Sequence, residues 1–177
     1  MIKKIVIVLA VLIAGVSIYA ATKPDSFRIE RSTTIKAPPE RIFALIDDFR
    51  QWEAWSPWEK IDPSLQRTYS GAPSGKGAVY EWRGNRDVGS GRLEIIDSSP
   101  PSRILLTLDF DEPFEAHNEV LFTLESSGDS TKLTQAMYGP SPYISKLMGV
   151  FFDMDTMVGE KYEEGLAAIK AIAEKPL

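Results

Sequence analysis

IKAPPERIFALIDDFRQWEAWSPW, residues 35–58, decides how this chain folds. An extended run, Phe27 to Lys36, leads into it, and its Thr33, Thr34 and Ile35 favour a strand. Pro38 and Pro39 stop that strand and suit a first helical turn, where the missing N–H has no partner to lose. Ile42, Leu45, Ile46 and Phe49 then fall at i, i+3, i+4 and i+7, one apolar stripe of a short helix. Trp52, Trp55 and Trp58 follow at three-residue spacing, three of the four tryptophans of the chain. Trp is large, rigid and amphipathic, so this cluster is either a core plug or the wall of an apolar pocket.

Downstream, strand-like segments alternate with turn signals. Leu65–Ser70 and Gly77–Trp82 flank GAPSGK, and Gly91–Asp97 precedes Pro100-Pro101. Arg103–Phe110, Ala116–Glu125 and Thr131–Tyr138 complete the series. Short strands so spaced predict an antiparallel sheet with one packed face. Alternation puts Asn118, Val120, Phe122 and Leu124 on one side of their strand, the inner one. The same test turns Tyr80, Trp82, Leu93, Ile95, Ile104, Leu106, Leu108 and Phe110 inward, with Leu133, Gln135 and Met137. Asn118 and Gln135 are then the polar side chains that enter an apolar interior, where an unpaired amide costs about 1–3 kcal/mol. After Gly139-Pro140-Ser141-Pro142 the period becomes helical. Tyr143, Leu147, Phe151, Met154, Val158, Tyr162, Leu166, Ile169 and Ile172 predict one long helix, which Gly149, Gly159 and Gly165 can bend. Met148, Met154 and Met157 with Phe151 and Phe152 give it an adaptable apolar face.

The N-terminal run is of another kind. Ile5–Ala21 is almost wholly apolar and follows Lys3 and Lys4. It exceeds the roughly 7–15 residues of a signal-peptide core and approaches the roughly 17–25 that span a bilayer. Ile18 and Tyr19 stand where a cleavage site prefers small residues, so the reading favours an uncleaved anchor over a removed signal peptide. The lysines stay inside by the positive-inside rule. The expected layout is an anchor or signal peptide over 1–21, a linker over 22–26 and one domain over 27–175. The domain would lie outside the cytoplasm at the inner membrane, or be periplasmic or secreted if cut.

The chain has 177 residues and a net charge of −5, which becomes −7 without Lys3 and Lys4. An acidic domain with no basic run argues against nucleic-acid binding. There is no cysteine, which excludes thiolate catalysis and Cys-based zinc sites. GAPSGKG, Gly71–Gly77, lacks the spacing and the Ser or Thr of a phosphate loop and reads as a hairpin turn. Asp109, Asp111, Glu112 and Glu115 lack the calcium-loop pattern. The only histidine, His117, has outward parity, so no Ser-His-Asp arrangement can be assembled. No cofactor fingerprint and no set of three spaced metal ligands occurs, so neither cofactor nor metal is expected.

The opening strand FRIERSTTIKAPPERIFALI, the segment DFRQWEAWSPW and the hairpin YSGAPSGKGAVYEWRG resemble the START/Bet v 1-like superfamily. FEAHNEVLFTLE and FFDMDTMVGEKYEEGL extend the likeness, which is nearest to the bacterial SRPBCC polyketide cyclase/dehydrase and lipid-transport group. The resemblance implies an α+β helix-grip fold, a curved antiparallel sheet around a long C-terminal helix with an apolar cavity between. It implies a hydrophobic small molecule, a lipid or polyketide-like compound, as the partner. Trp52, Trp55, Trp58, Tyr80, Trp82, Leu106, Asn118, Phe122, Gln135, Met137, Met148 and Phe152 are the residues expected to meet it, with the Trp segment at the mouth. Two other readings stay open. One is a cyclase, dehydratase or hydrolase in the same cavity, for which no inward carboxylate or histidine is evident. The other is a module that stabilises a neighbouring envelope protein, which predicts a filled interior and an exposed apolar patch.

Overall fold

The alternating segments form seven strands in a computed structural model that describes residues 2–176. They are β1 (Ser26–Ile35), β2 (Gln66–Gly71), β3 (Ala78–Arg83), β4 (Ser90–Ser99), β5 (Arg103–Glu112), β6 (Ala116–Ser127) and β7 (Ser130–Pro140). All pair antiparallel in one sheet of order β1-β7-β6-β5-β4-β3-β2. Between β1 and β2 lie α2 (Pro39–Asp47), α3 (Trp52–Trp55) and two 3₁₀ turns, Phe49–Gln51 and Pro57–Lys60. α1 (Ile2–Ala21) precedes the sheet, while α4 (Tyr143–Met148) and α5 (Met154–Ala173) follow it.

Side-chain alternation holds through β4–β7. Ile95, Ile104, Leu106, Phe122 and Leu133 are fully buried, and so are Ile42 and Ile46 of α2. α5 lies over this face and buries Val158, Tyr162, Leu166 and Ile169. In the 71–77 hairpin, Gly71, Gly75 and Gly77 all have positive φ, and the Gly75 N–H donates to the Asp47 carbonyl at 2.9 Å. The turn is built for backbone geometry and tied to the end of α2.

One long C-terminal helix was expected, but two are present. α4 stops at Gly149, and α5 starts afresh with Asp153 as its N-cap. The Asp153 carboxylate accepts from the Thr156 N–H at 3.2 Å and the Thr156 hydroxyl at 2.8 Å. An N-cap fixes extended backbone just before a helix, which breaks the continuity that apolar spacing alone suggests. α1 is the one helix among the described residues long and apolar enough to cross a membrane. Thr22, Lys23, Pro24 and Asp25 alone separate it from β1.

Candidate functional site

The space between α5 and the sheet is where a hollow was expected. Trp52 and Trp55 occupy it, at 7% and 3% exposure, with ring centroids 4.8 Å apart. Each meets Phe122 edge-on, at 6.2 and 6.3 Å. The indole N–H groups donate to Ile46 O at 2.9 Å and Leu45 O at 2.8 Å. Those carbonyls belong to the last turn of α2, where no helical N–H remains to meet them. The indoles therefore cap α2 and fill the core at once. α5 approaches Trp55 closely at Gly165, where a Cβ would stand 3.6 Å from the indole. Trp58 does not share this face. Pro57 ends α3 and starts a 3₁₀ turn, which leaves Trp58 39% exposed.

That turn carries a carboxylate inward. The Glu59 side chain is only 4% exposed and accepts from the Tyr80 hydroxyl and from Arg67 Nε, each at 2.6 Å. Burial, then the bond to Glu59, pushes the Tyr80 phenol far above its ordinary range. Both Glu59 oxygens are engaged, so the group pins the turn to β2 and β3.

Deeper under α5, Gln135 is buried and its amide oxygen has no hydrogen-bond partner. Its amide neighbours the phenol of Tyr162, which burial raises well above the usual tyrosine value. Arg31, opposite Gln135 in register, shares the inner face of β1. Its guanidinium bonds Asp155 and Glu163 of α5 at 2.9 Å each, and a Cβ on Gly159 would collide with it. This glycine lets a charged strand residue pass beneath the helix.

The Arg31 contact marks where α5 begins to cover β1. Toward its end the Lys36 N–H donates to Glu174 at 2.7 Å, and Lys170 donates to the Thr34 carbonyl at 2.7 Å. The helix thus lies over β1 from Arg31 to its end at Ile35. From Arg31 back to Phe27 the sheet runs on for about 13 Å past the first turn of α5. There Phe27, Trp82, Leu108, Phe110 and Asn118 are only half-buried on the inner face. Trp82 and Phe110 meet edge-on at 5.7 Å. This end, next to the exit of α1, is the mouth of the grip. Two surface hollows are present. One of about 240 Å³ is lined by Ala37–Pro39 and the β6–β7 turn, and one of about 300 Å³, lined by Gln66, Thr68, Glu81, Arg83, Ser90 and Asp111, adjoins Trp82. Neither lies between α5 and the sheet.

The profile of one family, described as polyketide cyclase / dehydrase and lipid transport, matches residues 26–174. The chain belongs to that family. Its members' description points to a domain that binds a hydrophobic ligand. Solved structures with the same fold include protein CV1439 from Chromobacterium violaceum, 17% identical, covering 87% of this chain and 100% of that one at a TM-score of 0.60. Protein Ms6760 from Mycobacterium smegmatis is 22% identical over 82% of this chain and 89% of its own, at a TM-score of 0.57. CalU16 from Micromonospora echinospora is 18% identical over 85% and 78%, at a TM-score of 0.57. No curated protein matches the chain in sequence. At these identities the structural likeness speaks for the fold.

Against the polyketide cyclase/dehydrase pattern, the expected ligand residues divide into three groups. Trp52, Trp55, Tyr80, Leu106, Phe122, Gln135 and Met137 come together in the packed core. Trp82 and Asn118 line the half-open mouth. Trp58, Met148 and Phe152 face solvent instead of an enclosed cavity. Trp52 and Trp55 pack in the mid-core against Phe122. Glu59, Arg67 and Arg31 escaped the sequence reading, and so did the pairing of Asp155 with Arg31. Glu81 and Arg83, which share a face, form no ion pair among the described residues. His117 is exposed as its parity required, and Nδ1 lies 2.8 Å from Asp109.

Proposed function

We propose that this chain is a membrane-tethered domain, held outside the cytoplasm by α1, that takes a hydrophobic small molecule, a lipid or polyketide-like compound, at its mouth. The observation that carries the reading is the inner sheet face running past α5, apolar, half-covered and next to the end of α1. Family membership over residues 26–174 supports it. Lys3 and Lys4 at the start of α1 support the orientation. A ligand there would exclude water from Trp82, Leu108 and Phe110, with the Asn118 amide beside them for a polar group. Burying on the order of 300 Å² of apolar surface contributes about 7 kcal/mol before ordering costs.

A filled interior favours a second reading, a module that stabilises another envelope protein. An exposed apolar surface around α4 fits that reading as well. The two separate by native mass spectrometry of the full chain released from membranes in mild detergent. The ligand reading expects a reproducible apolar adduct that weakens in Trp82→Ala. A chain that is empty in every preparation refutes it and leaves the module reading in its place.

A further inference from the structure

We propose that α4 and the turn after it lie in the interfacial layer of the bilayer that holds α1, as a second membrane contact that turns the mouth toward lipid. The proposal rests on the tether reading. α4 packs on the last turns of α1, and the Tyr143 hydroxyl donates to the Ser17 carbonyl at 3.2 Å. Ser17 is four residues from the end of α1, about 6 Å along the axis. α1 is about 30 Å long, the thickness of the hydrocarbon core, so its end marks the outer boundary of that core. Tyr143, bonded about 6 Å before that end, sits at the inner edge of the interfacial layer where tyrosine concentrates.

The segment from there is apolar and uncovered. Ile144 is 61% and Phe151 66% exposed, and Met148 and Phe152 are exposed beside them. Lys146 is its single charge between Gly139 and Phe152. That ammonium is drawn back onto Asp25, its side chain only 9% exposed. Asp25 also accepts the Ser141 N–H through its carbonyl at 2.7 Å, which fastens the segment to the connector. A four-residue connector reaches at most about 14 Å. With α1 in the bilayer, no space of protein thickness is left between this surface and the lipid, so lipid is the occupant that fits. Asp111, Glu112 and Glu115 crowd the same end of the sheet and repel anionic head groups, so the contact is an apolar one.

The chain has no cysteine, so single positions can carry an environment-sensitive fluorophore. The full chain is reconstituted in phosphatidylcholine vesicles with spin-labelled lipid. Labels are placed at Ile144→Cys, Phe151→Cys, Leu12→Cys in α1 and Ser127→Cys at the β6–β7 turn, the opposite end of the sheet. The expected result is blue-shifted emission at 144 and 151, quenched more by a spin label near the head group than by one near the chain end. The label at 12 shows the reverse order, and the label at 127 is unquenched. Quenching at 12 with none at 144 and 151 overturns the inference while the tether stands. No quenching at 12 overturns the tether, and the inference with it. A blue shift at 144 and 151 without quenching means that protein, a second copy or another chain, covers the surface, and this also overturns it.

Discussion

Glu59 makes a specific demand on stability. Glu59→Ala leaves the buried Tyr80 hydroxyl without an acceptor, a cost of roughly 1–3 kcal/mol. It also strips Arg67 of its partner. Removing one member of a fully buried pair costs about 3–5 kcal/mol, but the Arg67 side chain is 23% exposed and water relieves part of that. We therefore expect a total near 3 kcal/mol, or a Tm lowered by roughly 6–12 °C for a domain of this size. Tyr80→Phe removes one of the two bonds and should cost about 1–2 kcal/mol. The double variant should cost less than the sum by about 1 kcal/mol, because the shared bond is lost only once. Urea unfolding of the full chain in mild detergent, followed by tryptophan emission, reads all three, since Trp52 packs beside Phe49 and Phe49 beside Tyr80. A Glu59→Ala chain within about 0.5 kcal/mol of the parent, or strictly additive losses, would refute the buried clamp.

Phe122→Ala should cost about 3–5 kcal/mol in the same assay, since the ring is fully buried against both indoles. Trp55→Phe should cost about 1–2 kcal/mol by leaving the Leu45 carbonyl unmet, with faster amide exchange at the end of α2 as its signature. His117 has its pKa raised above the ordinary value near 6.5 by its hydrogen bond to Asp109, then by that group's charge. Its contribution to stability is therefore complete below pH 6.5 and lost as pH rises through the raised value. An NMR titration should place the midpoint above 6.5, and Asp109→Asn should bring it down. For Asp153 the sign is opposite. Bonds to Thr156 lower its pKa, so its capping persists above the ordinary carboxylate range and fails as pH falls through the lowered value. Hydrogen exchange in the first turn of α5 should accelerate there and in Asp153→Ala.

The sheet was legible because alternation is a local property. A single β6 segment placed Phe122 and Leu124 inside and His117 outside, and the pairing partners followed suit. The α2 stripe was legible for the same reason. The trio of tryptophans was misleading at its third member, since equal spacing shares a face only while one helix continues, and Pro57 ends it. Arg31 lies on the inner parity of β1, but its partners Asp155 and Glu163 are more than 120 residues away in sequence. No local pattern announces such a pair. Glu59 was hidden similarly, by a 3₁₀ turn whose facing residues follow no strand or helix period. The Asp153 cap was readable, because an Asp just before a helical run is a start signal. Apolar spacing across Gly149 masked it. The filled interior was the least legible feature, since a Trp that walls a pocket and a Trp that plugs it have the same sequence.

Thr22–Asp25, the four residues between α1 and β1, set a working radius. With α1 embedded, a leash of about 14 Å cannot carry cargo across a compartment. Such a domain would serve as a fixed station. On the proposed tether, whatever it received would arrive within the lipid or on a neighbour that drifts past, and delivery would happen at the same spot.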